Sequence, residues 1–198
     1  MSKGIITKEH ILSQAFELAS RDGLESLTIG GLAKQCGLSK SGLFAHFNAK
    51  TNLQVAVVEF ADITFQQRVI NPVRESQYQH SRVKLNHLID NWMRWNQSFQ
   101  GSCMFIDAWR DSRQDELQAA LRNAIYRWIS YLTIQIEKGI EAGEFEPDLD
   151  PRQAAFELYG QYLSAHVFYS LVGEEESSQR FWKSVERLMD SWMNDSRD

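Results

Sequence analysis

The chain has 198 residues, 43% of them hydrophobic, with 21 Lys and Arg against 26 Asp and Glu for a formal charge of −5. That length suits one domain or a domain with a small appendage, and the composition is too apolar for disorder and too acidic for a wholly basic nucleic-acid binder. The sum conceals a polarity: residues 1–50 carry six Lys/Arg and four Asp/Glu, net +2, whereas the other 148 carry 15 and 22, net −7. No secretory leader and no apolar run of membrane-spanning length is visible, so the expected location is cytoplasmic. Cys36 and Cys103 make no disulfide framework, and no Cys/His cluster has zinc spacing, so neither a metal site nor a cofactor is expected. Three prolines and no β-branched alternation leave helix as the default, and the expected fold class is all-α.

The first helix is expected over residues 7–21. Ile11, Leu12, Ala15, Phe16, Leu18 and Ala19 form its apolar stripe, Thr7 caps it, Ile6 and Ile11 staple it, and Gly23 ends it. A second, short helix spans residues 28–36, opened by Thr28 and closed by Gly37, whose freedom at positive φ suits a helix end. The third runs from its cap Ser39 to Phe47, and Asn48 is expected to cap a fourth over residues 49–67, with Val55, Val58, Phe60 and Ile63 as its apolar set. Longer amphipathic helices follow at 81–99, 105–110, 115–142, 151–172 and 177–193. Asp150 and Pro151 open the fourth of these five, at the position where a missing N–H costs nothing.

The second and third helices, joined through Gly37-Leu38-Ser39, have the helix-turn-helix arrangement. Ala33 is small where the helices cross, and Ile29, Leu32, Leu38, Leu43 and Phe47 supply an inner face. Lys40, Ser41, Gly42, Phe44, Ala45 and His46 are left on the outer face, whose N-terminal residues would meet base edges in a major groove. A mid-helix glycine costs about 1 kcal/mol against alanine, so Gly42 asks for a reason such as close backbone approach to a ligand. Helix N-termini at Thr28 and Lys50 are candidate phosphate contacts. Lys50 opposes the dipole of its own helix, and a nearby phosphate would account for it.

This block, T-I-x-x-L-A-x-x-x-G-L-S-K-x-x-L-F-x-H-F-x-x-K from Thr28 to Lys50, resembles the DNA-binding region of TetR-type transcriptional regulators over about residues 6–60. The resemblance implies a three-helix reader in residues 1–48, a helical effector-binding and dimerisation domain in residues 49–198, and a homodimer on a palindromic DNA operator. Carried over position by position, the DNA contacts fall on Thr28, Lys40, Ser41, Gly42, Phe44, His46 and Lys50. Phe44 stands where the family often has tyrosine, which removes a hydroxyl–phosphate bond. Gly30-Gly31 weakens a helix usually built from better formers, and that helix is expected to firm up on DNA.

In the last two helices Phe156, Gly160, Leu163 and Val167 recur at spacings of 4, 3 and 4, as do Phe181, Val185, Leu188 and Trp192. Such stripes pack helix on helix, within one chain or between two. The family resemblance favours a four-helix interface between subunits. Aromatics crowd the middle of the chain. Trp92, Trp95, Phe105, Trp109, Trp128, Tyr162 and His166 are candidate walls and anchors of an apolar effector pocket, with Phe99, Tyr131 and Phe168 nearby in the pattern; a packed core is the plainer alternative. Gly101 to Asp107 resembles a segment found after the fifth helix in one subgroup of the family, and Cys103 within it reads as a small buried hydrophobe or as an oxidant sensor. No Ser/His/Asp set, carboxylate pair or Gly-rich phosphate loop supports an enzyme. The expected function is a repressor released by a small apolar or aromatic effector. The rivals are an all-helical small-molecule carrier and a DNA-binding protein that needs no ligand.

Overall fold

Helix follows helix through residues 8–97 and 103–194, which the computed structural model describes; the one extended feature among them is an isolated antiparallel bridge between Phe145 and Met193. In chain order come α1 (Lys8–Asp22), a 3-10 turn (Leu24–Ser26), α2 (Ile29–Gln35), α3 (Lys40–Phe47) and α4 (Lys50–Phe65). A π-helical turn (Gln66–Ile70) leads into α5 (Asn71–Glu75), and then follow α6 (Ser81–Gln97), α7 (Met104–Asp111), α8 (Asp115–Glu141), α9 (Pro151–Val172) and α10 (Glu174–Asp190). Thr7, Ile6, Phe99 and Gly101 lie outside the described residues.

Two compact units divide the chain: residues 1–67 with 102–125, and residues 68–101 with 126–198. In the first, Ile11, Ala15, Phe16 and Ala19 of α1 are buried with Leu24, Leu27, Leu32, Ala33, Leu43 and Phe47. The Phe16 and Phe60 rings meet edge-on at 6.1 Å, so α4 packs here with α1. Its buried face is Leu53, Val57, Val58, Ala61 and Phe65, while Ile63 is 54% exposed and Val55 and Phe60 are half-buried. Of the expected set Val55, Val58, Phe60 and Ile63, only Val58 is on the buried face, because Leu53 begins the i, i+4, i+8 row that the core accepts.

Three boundaries differ from expectation for local reasons. Asn48 does not cap α4; it ends α3 in the left-handed region (φ 62°), which asparagine tolerates, and Ala49 opens α4 without a side-chain cap. The helical chain does not stop at residue 67: it widens by one π turn and continues through Pro72, which sits in the first turn of α5, where no N–H is needed. The last helix starts at Glu174 rather than Ser177, since Gly173 at φ 85° already makes the corner and three glutamates suit a helix N-terminus.

The second unit is built on Leu85, Leu88, Ile89 and Trp92 of α6, Leu132 and Ile136 of α8, Ala154, Ala155, Leu158 and Tyr162 of α9, and Phe181, Val185, Met189 and Trp192 of α10, all buried. Glu144, in the turn after α8, caps α6 from outside by accepting from Ser81 N at 2.7 Å. Backbone bonds Glu146 N to Trp192 O (2.9 Å) and Asn194 N to Glu144 O (3.1 Å) tie the same turn to the end of α10.

Candidate nucleic-acid interface

Each short helix in the reader opens on a side-chain cap. Thr28 accepts from Gly31 N at 3.0 Å and Ser39 accepts from Gly42 N at 3.0 Å, so each satisfies one of the free N–H groups at a helix start. Gly37 between them has φ 66°, where a β-carbon is strained. The Gly30-Gly31 pair lies inside α2, a seven-residue helix. Glycine at 31 and at 42 has a local rationale: an added Cβ would lie 2.9 Å from Thr28 Oγ1 in one case and 3.1 Å from Ser39 Oγ in the other, against the very oxygens that cap.

Helix α3 turns Leu43 and Phe47 inward, 0% and 3% exposed, and Lys40, Ser41, Phe44, Ala45 and His46 outward. Phe44 is 49% exposed, a large apolar ring on an otherwise polar face. Thr28 is exposed at the start of α2, and Gly42 is half-buried. All seven residues assigned to DNA from the sequence therefore lie in one compact unit, and none is enclosed by the core.

Lys50 has a partner that sequence reasoning missed. Its Nζ donates to the Glu25 backbone O at 2.6 Å and lies 3.3 Å from the Glu25 carboxylate. Glu25 stands in the 3-10 turn between α1 and α2, 25 residues away, and no local pattern marks it. Nearby, Thr51 Oγ1 donates to Gln114 Oε1 at 2.6 Å, and the buried Gln54 donates to Leu24 O at 3.1 Å, which braces the start of α4.

The aromatic set divides. Phe105 and Trp109 ride on α7 in the first unit; Trp92, Trp95, Trp128, Tyr162 and His166 are in the second. In the second unit the Trp92 ring stacks on Tyr162 at 3.9 Å and on Tyr159 at 5.5 Å, and meets Trp128 edge-on at 5.2 Å. Tyr162 donates its hydroxyl to Asn96 Oδ1 at 2.9 Å, and Asn96 Nδ2 donates to Trp92 O at 2.8 Å. The Arg68 guanidinium covers Trp95 at 5.9 Å, and burial pushes the Tyr131 hydroxyl above its ordinary range. These rings pack directly on one another. The cavity beside Asn96, Tyr162, His166 and Tyr169 has about 30 Å³, room for one or two waters rather than an effector of ordinary size.

Both cysteines are buried, and desolvation raises the Cys36 thiol. Among the described residues no group of three His, Cys, Asp or Glu is placed to hold a metal ion, and no helix is long and apolar enough to cross a membrane.

A capped pair of short helices that buries one face of the second and bares the other defines a helix-turn-helix DNA-binding protein. Comparison with known proteins is in accord. Residues 11–57 match the family described as "Bacterial regulatory proteins, tetR family", and residues 82–185 match "Tetracyclin repressor-like, C-terminal domain". The chain belongs to the TetR family of transcriptional regulators. Members are generally ligand-responsive DNA-binding repressors, typically dimeric and without enzymatic activity. Among curated relatives, a nucleoid occlusion factor SlmA of Marinobacter nauticus is 28% identical over 149 residues, which is 75% of this chain and 73% of that protein. Among solved structures, a TetR-family regulator from Cytophaga hutchinsonii superposes with a TM-score of 0.83 at 21% identity, covering 98% of both chains. The regulator FadR of Bacillus subtilis, solved in complex with stearoyl-CoA, superposes at 0.75 with 16% identity, covering 91% of this chain and 97% of that one. At such identities the superpositions speak for the fold.

Proposed function

We propose that the chain acts in the cytoplasm as a homodimeric repressor that reads a palindromic operator with α3 and is released by a small apolar or aromatic effector. The observation that carries this reading is the two-faced α3, which buries Leu43 and Phe47 while Lys40, Ser41, Phe44 and His46 are exposed. Lys40 and Ser41, at the helix N-terminus, meet base edges, and Gly42 lets the backbone come close. Phe44, lacking a hydroxyl, makes apolar contact with a thymine methyl, and His46 lies further along the groove. Thr28 and Lys50 bring the starts of α2 and α4 to phosphates. By function, residues 1–48 are the reader and residues 49–198 bind effector and partner, although α4 packs with the reader.

Dimerisation falls to α9 and α10. The Phe181, Val185 and Trp192 row is used up inside the chain, but Phe156, Leu163 and Val167 are 70%, 39% and 54% exposed and need cover. The effector site is assigned to Trp92, Trp95, Trp128, Tyr162 and His166 of the second unit. There a ligand that parts the Trp92–Tyr162 stack selects a conformation different from this one. DNA fixes the two readers at a groove-matched separation, and a ligand that prefers another lowers operator affinity by its differential binding, typically about 1–3 kcal/mol.

A second reading has its own support. The similarity to nucleoid occlusion factors favours a nucleoid-type DNA-binding protein. Selection of bound sites from random DNA, followed by mobility shifts with aromatic and lipophilic compounds, separates the readings. Release by a compound supports the repressor, and sequence-selective binding that no compound alters supports the second reading. A chain without selective binding but with a co-purifying ligand is a carrier.

A further inference from the structure

The α9–α10 hairpin turns at Gly173, and its register is set by Ser177 Oγ, which donates to Ala165 O at 2.8 Å. On α10 the inner row, Phe181, Val185, Met189 and Trp192, is buried. The outer row, Glu176, Arg180, Lys183 and Arg187, is exposed at spacings of 4, 3 and 4. The exposed charges of α10 are sorted along its length. Glu174, Glu175 and Glu176 fill the first turn and Lys183 and Arg187 follow two and three turns later. Between them Arg180 is held by its own chain, Nε to Glu176 Oε1 at 2.9 Å. Lys183 and Arg187 make no ion pair among the described residues. Arg180 and Lys183 line two adjoining surface depressions. One, of about 350 Å³, is shared with Ser164, Phe168 and Arg187, and the other, of about 500 Å³, with Val172, Glu175 and Glu176.

We propose that this trough receives α10 of a second copy running antiparallel, with Glu175 and Glu176 of one subunit against Arg187 and Lys183 of the partner subunit, and the same pairs repeated by symmetry. The idea rests on the homodimer reading above and adds its register. A two-fold axis crossing a helix pairs residues symmetrically about one point. The Glu176–Lys183 pair centres between Gln179 and Arg180, and the Glu175–Arg187 pair on Phe181, about 2 Å apart at 1.5 Å per residue. One axis therefore serves both pairs, whereas a parallel arrangement sets glutamate on glutamate. The hairpin register puts Arg180 level with Tyr162, so the axis passes beside Leu163 and Gly160, in the middle of the exposed Phe156–Leu171 row. Beyond its own turn of helix, nothing among the described residues lies within 4 Å of a Cβ added at Gly160, which leaves that side open.

The test uses the full chain and two charge-reversed variants, Glu175→Lys with Glu176→Lys, and Lys183→Glu with Arg187→Glu. Dissociation constants come from sedimentation, with helicity checked by circular dichroism. Each variant alone should self-associate on the order of tenfold more weakly than the wild type, because like charges face each other. An equimolar mixture should regain wild-type affinity as a heterodimer, and added salt should weaken the wild-type dimer while strengthening each variant. Variants that self-associate as tightly as the wild type, a mixture that does not recover, or a salt-independent wild-type dimer overturn the register. The homodimer reading fails separately, if the wild type is monomeric at micromolar concentration or if Leu163→Glu leaves a dimer of full strength.

Discussion

Lys50 sits in the first turn of α4, where a cation opposes the helix dipole, and the structure supplies a counterweight in the Glu25 carbonyl and carboxylate. In the proposed operator complex a phosphate at Lys50 has to compete with that carboxylate, so Glu25 would temper the contact. Lys50→Ala should weaken operator binding and reduce the slope of log K against log salt by about 0.9, the signature of one lost phosphate contact. Glu25→Gln should tighten binding by up to about fivefold, as an exposed ion pair permits; weaker binding in a filter or fluorescence titration would mean that Glu25 positions Lys50 instead. Elsewhere a single residue is fixed by packing. An added Cβ at Gly139 lies 2.2 Å from the ring of the fully buried Phe145. Gly139→Ala should therefore cost about 1–3 kcal/mol and lower the melting temperature by several degrees in calorimetry. Thr28, Gly37 and Ser39 were legible because capping is local, written within three residues. Glu25 and Phe145 were not, since their partners are set by how distant segments pack.

The α2–α3 pair is held to its angle by two caps and the small Ala33, which is 2% exposed at the crossing. Ser39→Ala should remove about 1 kcal/mol of stability, read as a shift in urea midpoint, while the dimer persists. Lys40→Ala should lose operator affinity with stability and oligomeric state unchanged, and normal binding by that variant would displace α3 as the reading helix. Gly42→Ala is expected to lose affinity too, and crowding at Ser39 Oγ makes a small loss of stability part of the same result. Element existence was readable from the 3.6-residue period, and α9 begins where Asp150 and Pro151 say it should and keeps the expected span of residues 151–172. Faces were less readable. Ile63 and Phe156 belong to apolar stripes by spacing, yet both are exposed, because periodicity tells which residues share a side and not which side finds a neighbour. The π turn and α5 went unseen for a related reason: Pro72 reads as a stop unless its place in a first turn is known.

Across the chain, a net charge of −5 hides a net +2 over residues 1–50 followed by a longer acidic portion, a distribution suited to docking one end on a polyanion while the rest is repelled. The family and the all-helical architecture were legible from about twenty residues of helix-turn-helix pattern. The inner packing of the C-terminal portion was not, since seven aromatic residues spaced along a sequence do not reveal that Trp92, Trp128 and Tyr162 close on each other or that Phe105 and Trp109 fall in the other unit. The account turns on one α3 from each subunit entering successive major grooves of a duplex. Repeated selection of bound sequences from a random DNA pool by the purified full-length chain measures this most directly. The predicted result is an inverted repeat whose half-sites are centred about 34–36 Å apart, or a multiple of that, with enrichment lost on Lys40→Ala. Binding that enriches no sequence, or enriches a lone or directly repeated half-site, would contradict it.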